Sequence, residues 1–218
     1  MNDVAHRGAA IYIKPVLGAY DLVVVRLSNS VAWRCPRDLM LEQYDDHLGP
    51  NHLDVGPGTG WYLAHSKRAP DSMITLMDLN PHSLDSASAH LGTVAHRTVA
   101  ADVLDPLPES IGPMDSIAAN FLVHCLPGSW SEKGEAFRHL ADRLTDDGVF
   151  FGGTILGRGV DHNLAGQGLM ALYNKLGVFH NRDDDAPGLE ATLRVAFQDV
   201  TVRVVGTVAL FTARQPWR

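Results

Sequence analysis

Short apolar runs alternate with mixed apolar and polar segments from about residue 51 onward. The runs end near Val55, Met77, Ala100 and Phe121, and a fifth covers residues 149–155. The segments between them, near residues 59–68, 81–91 and 131–144, have the spacing of amphipathic helices. Strands and helices that alternate at this distance favour an α/β fold with a parallel, doubly wound sheet and right-handed crossovers.

The pattern changes toward the C-terminal side of this region. Residues 197–205 and 207–213 are rich in β-branched side chains and are separated only by Gly206. One residue is too short for a parallel crossover, so these runs are predicted to form an antiparallel hairpin. Residues 161–185 are predicted to form a helix followed by an acidic loop. We interpret that loop as solvated instead of metal-binding, because no second cluster of ligands lies nearby in the sequence.

The first 50 residues have a helical pattern of their own. Residues 20–27 are apolar, and residues 36–48 carry several apolar or aromatic side chains before a stop at Gly49 and Pro50. A chain of 218 residues is long enough for one α/β domain and short for two. We therefore predict a single domain over residues 1–218, with a helical cap at 1–50, a core at 51–155, and a helix and β-hairpin at 156–218.

Composition narrows the choice of partners. The formal net charge is −7, which disfavours a nucleic-acid surface. The two cysteines lack the spacing of a disulfide framework or a zinc site, and no histidine pair has metal-ligand spacing, so no metal is expected. No apolar run approaches the length of a membrane span, and the N-terminus lacks the pattern of a signal peptide. These features predict a cytoplasmic monomer or homodimer that acts away from membranes.

The first candidate ligand-binding segment is the glycine-rich stretch Asp54-Val55-Gly56-Pro57-Gly58-Thr59-Gly60. It follows a buried run and precedes a helix predicted to start at Thr59 or Gly60, so a ligand could approach the backbone closely. The dinucleotide pattern requires a third glycine where this chain has Trp61. A carboxylate at Asp54 would repel a pyrophosphate and attract an ammonium group. S-adenosylmethionine carries such an ammonium and no phosphate.

A second acid, Asp78, follows the apolar run at residues 73–77. In a strand–helix–strand unit it would lie at the end of the second strand, where an acid accepts hydrogen bonds from ribose hydroxyls. The alternative is a structural role, with Asn80 or Asp78 capping the helix that starts near Pro81.

With these residues in place, the chain resembles the class I S-adenosylmethionine-dependent methyltransferases over roughly residues 50–155. Residues 101–103, 115–121 and 140–150 resemble the family's third strand, fourth strand, and helix–turn–fifth strand, although Asp147 stands where the family often has proline. The resemblance implies a Rossmann-like, seven-stranded sheet, mostly parallel, with an antiparallel C-terminal hairpin. It also implies that the cofactor S-adenosyl-L-methionine is held by Asp54, Gly56, Gly58, Gly60, Asp78, Leu79, Asp102, Val103 and Asn120.

Within that resemblance, Asp102 would meet the adenine amine, Val103 would pack on its ring, and Asn120 would lie at the tip of strand four near the reacting atoms. His124 follows that tip. It is either a general base for the acceptor, titrating with a pKa of about 6 to 7, or a residue that helps to fill the wall of the site or bonds a neighbouring carbonyl.

The N-terminal cap supplies candidates for the acceptor pocket. Tyr20 and Trp33 are predicted to bind substrate together with His124. An aromatic side chain of the cap, Tyr12 included, could instead face the sulfonium. Arg34 or Arg37 could pair with the cofactor's carboxylate. Ordinary packing is the alternative for each of these side chains.

The predicted function is methyl transfer to a small-molecule acceptor, with secondary-metabolite biosynthesis as one setting and S-adenosyl-L-homocysteine as the product. The sequence leaves open whether oxygen, nitrogen or carbon is methylated. A rival is a non-methylating protein on the same fold that uses the cofactor structurally or shapes a substrate for rearrangement. A nicotinamide-dependent oxidoreductase is disfavoured by Asp54, Trp61 and the terminal hairpin.

Overall fold

The computed structural model describes residues 30–218. In this part of the chain, seven strands form one sheet in the order β3-β2-β1-β4-β5-β7-β6. Neighbours among the first five strands are parallel, and β7 runs antiparallel to both β5 and β6. The predicted doubly wound sheet with an antiparallel hairpin is therefore confirmed. The strands are β1 Asn51–Val55, β2 Met73–Asp78, β3 His96–Ala100, β4 Met114–Asn120, β5 Leu144–Ile155, β6 Phe197–Val205 and β7 Val208–Pro216.

Six α-helices flank the sheet in the described residues. They are α1 Arg37–His47, α2 Trp61–His65, α3 Pro81–Leu91, α4 Trp130–Ala141, α5 Leu164–Leu176 and α6 Ala186–Ala196, and a 3₁₀ turn covers Val123–Cys125. The predicted helix over residues 59–68 is shorter than expected. It ends at His65 because the side chains of Ser66 and Arg68 both donate to the Leu63 carbonyl and satisfy it outside a helix.

Helix α6 corrects the sequence interpretation of residues 181–185 as a solvated loop. The Asp185 carboxylate accepts the Gly188 N–H at 2.9 Å and caps α6, which has Pro187 in its first turn. Asp184 is buried and pairs with Lys133 at 2.6 Å. Only Asp183 of the three acids extends into solvent, so the acidic run is largely structural.

The core lies on both faces of the sheet because strand side chains alternate between faces. Phe150 packs with Phe137 and Phe211 beside α4 and α6, whereas its neighbour Phe151 packs with Tyr44 of α1 on the opposite face. The order of the strands reverses between β1 and β4, and a crevice forms at the carboxyl ends of strands at such a point.

The turn of the terminal hairpin is packed against the start of the described chain. Gly206 has a φ of +60°, and a Cβ there would lie 2.3 Å from the Trp33 carbonyl oxygen. The Thr207 N–H donates to the same oxygen at 2.9 Å. None of the helices within residues 30–218 is both long enough and apolar enough to cross a membrane.

Candidate functional site

The glycine loop follows β1 at the crevice between β1 and β4. The Gly56 N–H donates to the Met77 carbonyl at 2.8 Å, which ties the loop to the end of β2. A Cβ at Gly60 would lie 2.9 Å from the Ala87 Cα, whereas a Cβ at Gly58 would meet nothing within 4 Å in the described residues. Gly60 is therefore required by packing on α3, while no atom of residues 30–218 limits the size of a side chain at Gly58. All three glycines have positive φ, at +65° for Gly56, +57° for Gly58 and +74° for Gly60.

Helix α2 starts at Trp61, directly after Gly60, so the expected start at Thr59 or Gly60 is correct to within one or two residues. The helix has only five residues, and its dipole is correspondingly small. Any ligand at this edge of the sheet would therefore be bound mainly by the loop backbone and the neighbouring carboxylates. The dipole of α2 would contribute little.

Asp54 lies on β1 with 2 % of its surface exposed. Its Oδ2 accepts the hydroxyl of Tyr44 at 2.8 Å. Burial raises the pKa of Asp54 to about 7, the Tyr44 hydrogen bond opposes that rise, and the nearby Asp78 carboxylate adds to it. A buried carboxyl with a raised pKa is stabilised in its charged form by any cation that enters the site.

Asp78 is the last residue of β2, and its Oδ1 accepts the Asn80 N–H at 2.8 Å. Burial raises the pKa of Asp78 to about 6, although hydrogen bonds from Asn80, Ser83 and Leu79 oppose the rise. Asn80 caps α3 by accepting the His82 N–H at 3.0 Å. Of the two residues suggested as the cap of α3, Asn80 is therefore the one that caps it, and Asp78 lies at the carboxyl edge of the sheet.

The tip of β4 carries an unusual backbone. Asn120 ends the strand with 8 % of its surface exposed, and neither polar atom of its amide makes a hydrogen bond in the described residues. Burial and the Asp54 carboxylate raise the pKa of the Tyr44 hydroxyl, and the nearby Asn120 amide opposes them. Phe121 follows with a φ of +56°, a strained value for a residue with a side chain. The chain turns sharply there and continues into the 3₁₀ turn.

His124 lies in that turn with 2 % of its surface exposed. Its Nδ1 is 3.3 Å from the Ile155 backbone nitrogen and 3.4 Å from the Thr154 hydroxyl. Burial, with a smaller effect from the Lys133 ammonium, lowers the pKa of His124 to about 3. This direction departs from the expectation that His124 titrates near neutral pH, and its catalytic role stays a prediction. The alternative role predicted a bond from the His124 ring to a neighbouring carbonyl. In the described residues the Ile155 N–H instead donates to the ring.

Phe179 is the aromatic neighbour of His124 that the sequence did not reveal. Its ring lies 4.4 Å from the His124 ring and 6.1 Å from the Trp33 ring. Trp33 is buried and also packs edge-on against His162 at 6.1 Å. Contact between Trp33 and an acceptor stays a prediction, while Tyr12 and Tyr20 lie outside the described residues.

The two arginines of the cap have local partners. The Arg37 guanidinium lies 4.4 Å from the centre of the Trp61 ring, and Arg34 donates to the Asp161 carbonyl. Both side chains therefore have structural contacts that compete with the suggested pairing to the cofactor's carboxylate.

The loop after β3 carries Asp102 and Val103. Asp102 is partly exposed and its Oδ1 accepts the Leu104 N–H at 3.0 Å, which leaves its other oxygen for a ligand. Val103 is buried within the main core. Leu79 follows Asp78 and is partly exposed. The cofactor roles of these three residues stay predictions.

The edge of the sheet fits a ligand that combines a cation with hydroxyl groups. Within residues 30–218, neither Asp54 nor Asp78 takes part in an ion pair, although both carboxyls lie together at the crevice. The Asn120 amide lies near the Tyr44 hydroxyl that donates to Asp54, and Gly58 belongs to the loop that follows Asp54. No group of three or more His, Cys, Asp or Glu side chains in this range is placed to hold a metal ion.

The strand order of the sheet identifies the class of protein to which this fold belongs. A sheet with this strand order and an antiparallel strand inserted beside β5 is the Rossmann-like fold of methyltransferases. A solved complex of DhpI with SAH has a TM-score of 0.70 to this structure, with 17 % identity and complete coverage of both chains.

Sequence comparison then gives the family. A methyltransferase domain model matches residues 53–150. The physcion biosynthesis cluster O-methyltransferase of Aspergillus chevalieri is 39 % identical over 212 residues, which is 96 % of each protein. The N-methyltransferase vrtF of Penicillium aethiopicum is 39 % identical over 190 residues, covering 84 % of this chain and 78 % of the relative. The chain belongs to the class I methyltransferase family.

Proposed function

We propose that this protein transfers a methyl group from S-adenosyl-L-methionine to a small-molecule acceptor, with S-adenosyl-L-homocysteine as the product. The observation that carries the proposal is a pair of carboxyls, the buried Asp54 and the partly buried Asp78, which lie together without an ion pair in residues 30–218 beside the glycine loop. An ammonium and two ribose hydroxyls are the groups that such carboxyls bind. Relatives named as O- and N-methyltransferases support the same reaction class.

The residues divide into recognisable roles under this proposal. Asp54 holds the ammonium, and Tyr44 positions its carboxylate. Asp78 accepts the ribose hydroxyls, with Leu79 beside it, while Asp102 and Val103 meet the adenine. Asn120 supplies the amide at the strand tip, and Gly56, Gly58 and Gly60 shape the loop.

The cofactor supplies a methyl group that is already activated by its attachment to a sulfonium. The protein therefore needs to align the acceptor and to keep water away from the reacting atoms. The buried surroundings of His124, with Phe121 and Phe179 edge-on to its ring, suit that task. Nothing in the comparisons favours the non-methylating alternative.

Isothermal titration tests cofactor choice. We expect the protein to bind S-adenosyl-L-methionine and S-adenosyl-L-homocysteine, and not NAD. Incubation with S-adenosyl-L-methionine and a panel of small phenols, enols, aliphatic alcohols and amines should release S-adenosyl-L-homocysteine with at least one acceptor. Preferential binding of NAD would point to an oxidoreductase, and cofactor binding without turnover on any panel would favour the structural use of the cofactor. A cytoplasmic location and a monomeric or homodimeric state are part of the same proposal.

A further inference from the structure

His124 makes its hydrogen bond at the place where β5 extends beyond the end of its neighbour β4. The last paired residue of β4 is Asn120, opposite Gly153, whereas β5 continues to Ile155. The Ile155 N–H therefore extends beyond its neighbouring strand, and it donates to His124 Nδ1 at 3.3 Å. His124 thus completes the hydrogen bonding of the strand end, as a buried backbone N–H requires.

This contact fixes which ring nitrogen carries the proton. A backbone N–H can only donate, so Nδ1 must present its lone pair. The Thr154 hydroxyl, 3.4 Å from the same nitrogen, can donate to it as well. In a neutral imidazole the other nitrogen, Nε2, then carries the hydrogen. The hydrogen bonds that the ring makes within residues 30–218 are both at Nδ1, so Nε2–H is the ring donor that could serve a ligand.

The surroundings keep the ring neutral. Burial is the main cause that lowers the pKa of His124, and the Lys133 ammonium on α4 adds a smaller effect. Asp184, which could favour a charged ring, is instead paired with Lys133 at 2.6 Å. Two other titratable residues lie nearby in residues 30–218. The His180 backbone N–H donates to the His124 carbonyl at 2.8 Å, and burial raises the pKa of the adjacent Cys125 thiol to about 12, which keeps it uncharged. Phe121 and Phe179 present ring edges to the imidazole. A neutral ring whose lone pair is already used is a hydrogen-bond donor and a poor base.

The Nε2–H donor of His124 would favour some methyl-accepting atoms over others. An amine nitrogen has one lone pair, which must attack the methyl carbon and cannot also accept from His124. An oxygen anion has three lone pairs, so it can accept the Nε2–H with one and attack with another. With no base provided by His124, an aliphatic hydroxyl would stay protonated at neutral pH, whereas a phenol or an enol ionises far more readily.

We propose that the acceptor is an acidic hydroxyl, of the phenol or enol class, and that His124 binds its oxygen through Nε2–H instead of removing its proton. The inference rests on the proposed methyltransferase function. The hydroxyl loses its proton to solvent on ionisation. The oxygen lone pair then forms the O–C bond to the methyl group as the S–C bond breaks, and the electron pair of that bond stays on sulfur, so anion and sulfonium both become neutral.

The tautomer can be measured without any acceptor. A long-range ¹H–¹⁵N correlation spectrum of the ¹⁵N-histidine-labelled chain with S-adenosyl-L-homocysteine separates the two neutral tautomers and the cation. With 11 histidines in the chain, the His124→Gln spectrum identifies the His124 signals by their loss. We expect His124 to be neutral with hydrogen on Nε2 from pH 5.5 to pH 8. Hydrogen on Nδ1, or a cation at pH 7, would overturn the proposal, whether or not the protein methylates anything.

Kinetics test the role on an acceptor. Matched probes are 4-nitrophenol, 4-nitrobenzyl alcohol and 4-nitrobenzylamine, which share an aromatic body and differ in the reacting group. Methylation of the phenol alone is expected, and its rate should rise with pH through the phenol's own pKa. Methylation of the alcohol or the amine in preference to the phenol would contradict the proposal. Failure to bind S-adenosyl-L-methionine would instead overturn the proposed function and leave the tautomer result standing.

Two variants separate donation from basicity. His124→Leu removes both the acceptor of the Ile155 N–H and the ring donor, whereas the amide of His124→Gln can accept this N–H through its oxygen and donate near the Nε2 position. Urea unfolding of both variants separates any folding cost from the loss of rate. We expect leucine to lower kcat/KM by roughly 10²- to 10³-fold, as loss of an oxyanion donor does. Glutamine should lower it at least about tenfold less than leucine. Equal losses in the two variants would assign proton removal to His124 and sink the proposal.

Discussion

Asp78 is the residue on which cofactor affinity should depend most directly. A charge-assisted hydrogen bond contributes about 1.5–3 kcal/mol, so loss of two bonds to ribose should weaken binding roughly ten- to a thousandfold after allowance for non-additivity. We expect this loss for S-adenosyl-L-homocysteine in Asp78→Ala, measured by isothermal titration. Asp78→Asn keeps an oxygen for the Asn80 N–H and serves as the control for the local turn. An unchanged dissociation constant in both variants would remove the ribose assignment.

Asp54 should make cofactor binding depend on pH. Its pKa is raised to about 7 in the free protein by burial, and an incoming ammonium favours the charged carboxylate and so lowers the pKa in the complex. Binding then releases a proton below pH 7. Affinity for S-adenosyl-L-homocysteine is expected to reach its maximum just above pH 7. Below that value it should fall by up to about tenfold for each pH unit.

Titrations in two buffers of different ionisation enthalpy would count the released proton. Asp54→Asn should bind more weakly at pH 7.5 and lose most of this pH dependence, with Asp78 supplying the remainder because its own pKa is raised to about 6. Tyr44→Phe removes a hydrogen bond that lowers the pKa of Asp54, so its midpoint should move to higher pH. The same pH profile in the wild type and in Asp54→Asn would exclude Asp54 as the ammonium site.

At the scale of elements, Gly58 and Gly60 form a matched pair in one loop. Both have positive φ, so alanine costs about 1–2 kcal/mol of folding free energy at either position. Only Gly60→Ala also meets α3, 2.9 Å from the Ala87 Cα. Urea unfolding should show a larger loss for Gly60→Ala. Gly58→Ala should instead lose more cofactor affinity than Gly60→Ala when each loss is compared with the loss of unfolding free energy. The reason is that its side chain would enter the space predicted for the ligand. Gly58→Val should be the more severe form, and normal binding by that variant would make the loop merely structural.

The Lys133–Asp184 pair joins α4 to the segment that carries Phe179. Lys133 also donates to the His180 carbonyl at 3.0 Å, so it holds the chain on both sides of residues 181–183. Lys133→Met leaves a buried carboxylate without its partner and should lower the free energy of unfolding by about 3–5 kcal/mol. The double variant Lys133→Met, Asp184→Asn should lose less than Lys133→Met alone. A larger loss in the double variant would mean that Asp184 has a second essential role.

The sequence predicted elements well where the signal is local. The ends of β1 and β3 follow from apolar runs that stop at glycine or polar residues, and α3 follows from Asn80 and Pro81. Helix α6 was missed, although Asp185 and Pro187 form a recognisable start, because the preceding acids were interpreted as one solvated run.

Contacts between distant segments could not be predicted. The bond from Tyr44 to Asp54 joins α1 to β1, and a buried tyrosine hydroxyl requires some partner without specifying which one. The sequence placed His124 at the strand tip, but its tautomer depends on an N–H of β5 that lies 31 residues away in the chain. Phe179 belongs to a loop with no motif, and only the folded chain brings its ring to His124.

For the whole molecule, charge predicts the choice of partner. A chain with a formal net charge of −7 repels the phosphate backbone, and binding of RNA would require Lys and Arg side chains to release counterions. We expect no association with fluorescently labelled tRNA at 0.15 M salt, measured by anisotropy with a basic RNA-binding protein as the positive control. Micromolar binding that weakens steeply with salt would overturn the small-molecule assignment.

The position of β7 has a consequence for biosynthesis. Although β7 follows β6 in the chain, it lies between β5 and β6 in the sheet. While the ribosome is still translating the codons before Val208, β5 has an open edge where its neighbour will later pair, and unpaired edges are sites of aggregation. A premature stop before Val208 would leave that edge open permanently. Such truncated products should therefore accumulate in inclusion bodies or with chaperones, even though every residue assigned to the cofactor has already been made.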